Sequence, residues 1–344
     1  MSDTQLSPKP GSQLSPWLHQ QLSTLLSRRG HAWLLQGPSG LGQYPLALEL
    51  ARAWLCENAT PAGACYQCAS CHSVDVRSHP DLCVLMPETV ALELEWPLDE
   101  KSQKEIDDKK RKPSKEIRVE AAREMINFTQ HTRSGGHTKV VLVYPAERMN
   151  HVTANAILKT LEEPPGECRF ILASEAAHIL LPTIRSRCQT HTMVWPDEQQ
   201  ALEWLEVQGL ASADAKANLR AAGGRPEDAL DLANAGLKAS QWSGFPLMVS
   251  RGQLAALADL SPAQAIDRLQ KLCHDMLALQ TGATPRFFEV ADLQAVWGSA
   301  KGATMYSLTQ WAKDLMEAAR TAQHTYNPGL MLEALMAQAQ QALR

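Results

Sequence analysis

Apolar positions set the order of elements before any motif is considered. From Gln13 to Arg29, residues Trp17, Leu18, Leu22, Leu25 and Leu26 recur at the spacing of one helix face. Gly30 closes that helix as a C-cap glycine. Short apolar runs then alternate with amphipathic ones. Ala32 to Gln36, Leu82 to Met86, Lys139 to Tyr144, Arg169 to Ala173 and Gln189 to Val194 read as strands; the third is continuously apolar, as strands buried on both faces are. Between them, Pro45 to about Cys56, Ile117 to His131 and Met149 to Glu163 read as helices, the last stopped by Pro164-Pro165. Ser134-Gly135-Gly136 makes a turn and Leu181 to Ile184 a short helical turn. Alternation of this kind over roughly 190 residues predicts a parallel α/β sheet.

After Trp195-Pro196 the pattern is helical only. Glu198 to Val207, Ala211 to Ala221 and Pro226 to Ala235 predict a small three-helix unit with a turn at Gly223-Gly224-Arg225-Pro226. Further helices are expected over Phe245 to Arg251, Gln253 to Asp259, Pro262 to Gln280, Phe287 to Ala300, Tyr306 to Thr321 and Pro328 to Ala342. The expected organisation is an α/β domain over 1–194, a three-helix unit over 195–238 and an all-helical domain over 239–344.

Composition narrows the class without choosing within it. The chain has 344 residues, 44% hydrophobic and 20% charged, with a net charge of −4. This describes a soluble globular protein of two or three domains and demands neither nucleic acid nor an anionic membrane as partner. Met1 to Gln13 lacks the apolar stretch of a secretory signal, and no apolar run approaches membrane-spanning length. A cytoplasmic location is expected, where eight cysteines do not form a disulfide framework.

The first candidate chemistry is Gly37-Pro38-Ser39-Gly40-Leu41-Gly42-Gln43-Tyr44, set between a strand and a helix. Gly37 and Gly42 fit the phosphate-loop spacing G-x-x-x-x-G-K-[ST], but Gln43 stands at the lysine position and Tyr44 at the magnesium-binding hydroxyl. Such a loop retains backbone N–H groups for an anion and lacks the point charge and metal ligand of an active site. An ordinary Gly-rich turn is the competing reading. The strand from Lys139 ends in Tyr144-Pro145, where an active ATPase carries an acidic pair; the nearest acid, Glu147, is expected to face out.

The second is Cys56, Cys65, Cys68 and Cys71, a C-x8-C-x2-C-x2-C spacing able to close a tetrahedral zinc site. A four-thiolate site leaves no position for water and so reads as structural rather than catalytic. Four unconnected thiols is the alternative, and His72 and His79 are neighbouring possible ligands. The segment from Pro87 to Lys115 mixes charges of both signs and reads as an exposed, mobile insertion, about 87–116. Its basic run, Lys109 to Lys112, reads as a solvated loop, with DNA contact as the alternative.

Three features together carry a family resemblance. Asn155-Ala156-Ile157-Leu158-Lys159-Thr160-Leu161-Glu162-Glu163-Pro164-Pro165 resembles a signature of bacterial clamp-loader subunits; Ser186-Arg187-Cys188 resembles a second; a four-cysteine insert soon after the phosphate-loop helix resembles a third. The chain is similar to the AAA+ clamp-loader family of the bacterial DNA polymerase III holoenzyme. The resemblance implies an AAA+ α/β domain with a zinc-binding insert, a small helical lid and a helical collar for oligomerisation. Losing the elements at Gln43, Tyr44, Tyr144 and Pro145 while keeping Ser186-Arg187-Cys188 is the pattern of a non-catalytic branch other than delta.

The resemblance further implies that Arg187 acts as an arginine finger in trans, stabilising the γ-phosphoryl group bound by a neighbouring subunit, whereas the bare sequence favours pairing with a carboxylate of its own chain. Arg185, two residues earlier, points the same way on an extended backbone and is the rival. Thr160, Glu162 and Glu163 are candidate partner contacts, Ser174 and Glu175 fall where active relatives sense the γ-phosphate, and Arg225 reads as an exposed turn arginine or a second sensor. Cys188 reads as a packing residue. The implied partners are gamma/tau and delta subunits and, through the assembly, the sliding clamp and primed DNA; Zn2+ is the expected cofactor and no ATP is expected on this subunit. The competing functions are a catalytically active gamma/tau-like ATPase and a zinc-dependent DNA-binding module.

Overall fold

The computed structural model describes residues 14–133, 138–297, 303–321 and 327–343. The reading of Met1 to Gln13 as free of a signal, the turn at Ser134 to Gly136 and the end of the helix expected up to Ala300 lie outside the described residues. Two compact units divide the chain, Met1–Trp195 and Pro196–Arg344.

The first unit runs α1 (Pro16–Leu26), β1 (Ala32–Gln36), α2 (Gln43–Leu55), α3 (Ala69–Asp75), β2 (Leu82–Leu85), α4 (Glu88–Glu93), α5 (Glu100–Asp107), α6 (Val119–Gln130), β3 (Lys139–Val143), α7 (His151–Glu162), β4 (Cys168–Ser174), α8 (Pro182–Arg185) and β5 (Gln189–Thr192). The strands form one sheet in the order β2-β3-β4-β1-β5, and every pairing is parallel. The α/β expectation is met. Central strands are buried on both faces, β3 at all five positions, whereas edge strand β5, Gln189-Thr190-His191-Thr192, buries only His191. That polarity suits an edge, which needs only one paired side.

Side-chain alternation sorts each strand between two helical layers. Leu34, Val141, Val143, Phe170 and Leu172 pack with Ala122 and Met125 of α6 and Ile157 and Leu161 of α7. Residues of the opposite face meet α2, which contacts β1, β3 and β4 and carries α1 on its side. Parallel pairing puts the C-terminal ends of all five strands on one edge, so Gly37, Tyr144 and Glu175 emerge together. Ligand sites of open α/β sheets form at this edge, where the strand order reverses.

The second unit contains α9 (Glu198–Val207), α10 (Ser212–Ala221), α11 (Pro226–Asn234), α12 (Ala239–Ser250), α13 (Pro262–Gln280), α14 (Val290–Trp297), α15 (Met305–Thr321) and α16 (Pro328–Leu343). Ala201, Leu205, Ala215, Leu219, Ala222 and Ala229 make one small core among α9, α10 and α11. A larger core joins the remaining helices, with Trp242 and Phe288 stacked at 4.5 Å between ring centres. Asp275, fully buried, accepts the backbone N–H groups of Arg286, Phe287 and Phe288 at 2.7–2.9 Å and so fixes the turn after α13.

Three expectations about local structure are corrected. The segment Pro87 to Lys115 is an ordered element, not a loose loop: it holds α4 and α5, buries Trp96, and is closed by Arg111, whose guanidinium grips Glu88 in a fork and Glu105 at 2.8 Å. The pairing spans 23 positions, so charge counting along the chain does not reveal it. The helix expected over Gln253 to Asp259 is a single 3-10 turn, Leu254–Ala256; of that run only Leu257 is buried, so it has no apolar stripe to hold a longer helix. Conversely α12 begins at Ala239 and continues through Pro246, whose side chain is buried in the core.

Candidate functional site

The Gly37–Tyr44 loop is closed from inside. Gly40 and Gly42 adopt φ of +75° and +83°, the left-handed region that glycine enters without a Cβ clash. Gln43, the first residue of α2, is 2% exposed, and its amide nitrogen donates to the carbonyl oxygens of Gly37 and Pro38, each at 2.7 Å. A lysine at this position would direct its ammonium outward to phosphate; the glutamine amide instead ties the loop to its own backbone. Gly37 lies so near Met193 that an added Cβ would meet that side chain at 2.8 Å, which accounts for a glycine there by packing alone.

Tyr44 and Tyr144 interlock. Their ring centres are 5.1 Å apart. The Tyr44 hydroxyl accepts from the indole N–H of Trp96 at 2.6 Å, and the Tyr144 hydroxyl donates to Glu175 at 2.9 Å. Burial raises both phenols above their ordinary range, and for Tyr144 the charge of Glu175 adds to the rise, so both stay neutral donors and acceptors. The two sequence departures therefore touch each other, and Trp96 of the charged insertion covers them. Trp96 is absent from the sequence-derived site; its signal is a lone aromatic side chain in a segment rich in charge.

Glu147 does not face out. Its Oε1 accepts the backbone N–H of Glu175 at 3.2 Å, and its Oε2 is buried without a hydrogen-bond partner. It lines a cleft of about 500 Å³ with Pro38, Ser39, Arg148, Glu175, Ala176 and Ile179. Two carboxylates and one guanidinium in the wall give this space an acidic bias, opposite to that of a phosphate pocket. Ser174 is fully buried, and its hydroxyl accepts from the Ala176 N–H at 3.3 Å.

The four cysteines converge. The Sγ atoms of Cys56, Cys65, Cys68 and Cys71 all lie within 4.8 Å of one another, with Cys56–Cys68 at 3.9 Å and Cys65–Cys71 at 4.0 Å. A tetrahedral ion with metal–sulfur bonds of ~2.3 Å would separate its sulfurs by about 3.8 Å. Backbone N–H groups already point at the sulfurs: Cys65 to Cys56 at 3.2 Å, Gln67 to Cys65 at 3.5 Å and Cys71 to Cys68 at 3.4 Å. The Gln67 N–H in particular brings the Cys65 thiol down to about 6, while burial pushes Cys71 up. The donor set fits a metal ion that prefers four sulfurs. His72 and His79 are outside the group: His72 is exposed, and His79 bonds Ser70 at 2.7 Å and the Asp81 N–H at 3.0 Å. Chain geometry explains the convergence, since Cys56 directly follows α2 and α3 starts between Cys68 and Cys71.

Arg187 lies at a different surface of the same unit. Its Nη2 and Nε bond Glu162 Oε2 at 2.7 and 3.0 Å, and Nη1 donates to the Thr183 carbonyl at 2.9 Å. The pairing with an own-chain carboxylate is thus present, between side chains 29% and 57% exposed. The extended backbone that would turn Arg185 and Arg187 the same way is not present: Arg185 is the last residue of α8, and Ser186 keeps helical dihedrals. Of the neighbouring candidates, Thr160 is buried, while Glu162 and Glu163 are exposed. Burial pushes the Cys188 thiol up to about 12, as suits a packing residue. Two of the four residues of the basic run are paired within the insertion: Lys110 with Asp108 at 2.9 Å, and Arg111 with Glu88 and Glu105. In the second unit Arg225 is half-buried, 2.8 Å from Asp228.

A family model described as DNA polymerase III, delta subunit, matches residues 14–195, more than half of the chain. The chain belongs to this family. It is 36% identical over 232 residues to the DNA polymerase III subunit delta' of Pseudomonas aeruginosa, a match covering 66% of this chain and 63% of that one. The delta' subunit of Yersinia pestis is 31% identical over 319 residues, covering 87% of both. The tau subunit of Escherichia coli DNA polymerase III is 29% identical over 253 residues, covering 72% of this chain and 35% of the relative. The chain therefore spans less than two thirds of the Pseudomonas relative.

Proposed function

We propose that this chain is a non-catalytic, delta'-type subunit of a DNA polymerase III clamp loader, acting in the cytoplasm. In this reading it assembles with gamma/tau and delta subunits and presents Arg187 to the ATP bound by a neighbour. Hydrolysis there drives loading of the sliding clamp on primed DNA. Zinc, held by Cys56, Cys65, Cys68 and Cys71, is structural: four thiolates leave no position for water.

The observation that carries the reading is the interlocked Gln43, Tyr44 and Tyr144. Gln43 bonds the loop backbone, and the rings of Tyr44 and Tyr144 pack against each other where a metal ligand and an acidic pair would stand. Such an interior favours no triphosphate of its own. Arg187 supports the other half. An exposed ion pair such as Arg187–Glu162 is worth about 0–1 kcal/mol, so the side chain is released at small cost to a stronger acceptor. A guanidinium is always charged and meets phosphate oxygens as a planar fork.

The test is reconstitution with gamma/tau and delta subunits. Arg187→Ala is expected to lower DNA-stimulated ATP hydrolysis sharply while size-exclusion chromatography shows intact assembly. Unchanged hydrolysis would remove the finger assignment, and ATP turnover by the isolated chain would favour an active gamma/tau-like subunit instead.

A further inference from the structure

Helix α2 carries two ionic residues on its buried face, one turn apart: Glu49 is 7% and Arg52 6% exposed. They bond each other at 3.0 Å. Buried charges of this kind are retained only where other groups complete their hydrogen bonding. Here both partners come from the cysteine module. The Arg52 guanidinium donates to the backbone carbonyl of Cys71 at 3.2 Å and pairs with Asp75, the last residue of α3, at 2.5 Å. Its planar face lies 5.4 Å from the ring centre of Tyr66. The Tyr66 hydroxyl donates to the other oxygen of Glu49 at 2.7 Å. Tyr66 stands between Cys65 and Cys68 with φ of +59°, an uncommon backbone state for a residue with a side chain.

Each part of the four-sulfur group is thus referenced to one helix. Cys56 continues from the end of α2; the Cys65–Cys68 turn is tied through Tyr66 to Glu49; the Cys68–Cys71 step is tied through the Cys71 carbonyl to Arg52.

We infer that Arg52 is a positioning residue for the metal centre, and that the Glu49–Arg52–Tyr66 clamp couples metal occupancy to helix α2. The inference rests on the zinc reading proposed above. Groups that orient metal ligands without touching the ion typically govern about 10–100-fold of the affinity. Arg52 acts at one remove in the same manner, by fixing the carbonyl of a ligand residue and the end of the helix that carries it.

The experiment uses the full chain, stripped of metal under reducing conditions and titrated with Zn2+ against a chromophoric chelator, and separately with Co2+. Arg52→Leu is expected to weaken Zn2+ binding at least tenfold, by about the range quoted for such orienting groups. The cobalt-loaded variant is expected to keep the absorption of a four-thiolate tetrahedral centre. Arg52→Lys, which keeps the charge and loses the fork, is expected to recover part of the affinity. Tyr66→Phe, which removes one hydroxyl, is expected to cost several-fold. Arg52→Leu binding Zn2+ within twofold of the parent chain overturns the inference while leaving the zinc reading intact. A parent chain that does not bind Zn2+ overturns both. Should Arg52→Leu fail to fold, Arg52→Lys and Tyr66→Phe decide: parent-like affinity in both overturns the clamp.

Discussion

The loop at Gly37–Tyr44 and the surface at Arg187 belong to the same α/β unit and use polar side chains in opposite ways. At the loop the departing side chains are turned inward: Gln43 onto the loop carbonyls, Tyr44 onto Trp96, Tyr144 onto Glu175. At Arg187 the charge is held on the outside by one half-exposed carboxylate and a carbonyl. Buried hydrogen bonds are costly to break, because the abandoned partner cannot turn to water. An exposed ion pair is cheap to break for the converse reason. The contrast sets side chains committed to the interior against an arginine on an exposed pair, the kind of group that the contribution in trans proposed above requires.

The largest expected effect is at Arg187. In GTPases an arginine finger is worth about 10³–10⁵ in rate, so in the reconstituted assembly Arg187→Ala should cut hydrolysis at the site it serves by about a thousandfold, read by single-turnover phosphate release. Hydrolysis within threefold of the parent assembly would dissolve the contrast. Next in size is Tyr44→Ala, which removes one ring of the Tyr44–Tyr144 pair and strips Trp96 of its acceptor. A loss of about 2–3 kcal/mol is expected, below the range for a wholly buried aromatic, and thermal denaturation reads it. Gln43→Leu should cost about 1–3 kcal/mol by leaving two loop carbonyls without a donor. A neutral result would mean that water serves them equally well and that the loop is less closed than its geometry implies.

Smaller still is Glu162→Ala. Releasing Arg187 from its exposed partner should shift stability by under about 1 kcal/mol, with assembly-dependent hydrolysis unchanged or raised. A large loss of stability would show the pair to be structural and weaken the idea of an exchangeable arginine. The smallest expected effect belongs to Gln43→Lys combined with Tyr44→Thr. Restoring both loop positions should give no measurable turnover in the isolated chain, because Tyr144-Pro145 still ends β3 without the acidic pair that metal and water need. Turnover by that double variant would relocate the defect to the loop alone.

The strand–helix alternation was legible because a doubly buried strand such as β3 carries an apolar run, here Val140–Val143, and a surface helix such as α7 must be amphipathic; neither depends on distant residues. The cysteine group was legible for a similar reason, since three of its four sulfurs lie within a seven-residue span and local turns bring them together. The insertion was misread because its order comes from Arg111 reaching Glu88 across 23 positions and from Trp96 reaching Tyr44 across 52. Glu147 was misread because its direction is set by the Glu175 backbone, 28 positions away.

By itself, then, the sequence determined the parallel α/β unit, the helical remainder, the convergence of four cysteines and the identity of every residue that departs from an active phosphate loop. Local periodicity and short spacing carry all of these. The tertiary structure alone decided that the two departures pack against each other, that Arg187 rests on Glu162, and that Glu49 and Arg52 hold the cysteine module. Each of these joins residues on different elements, and the approach of two elements is set by packing of the whole core rather than by anything written in either segment.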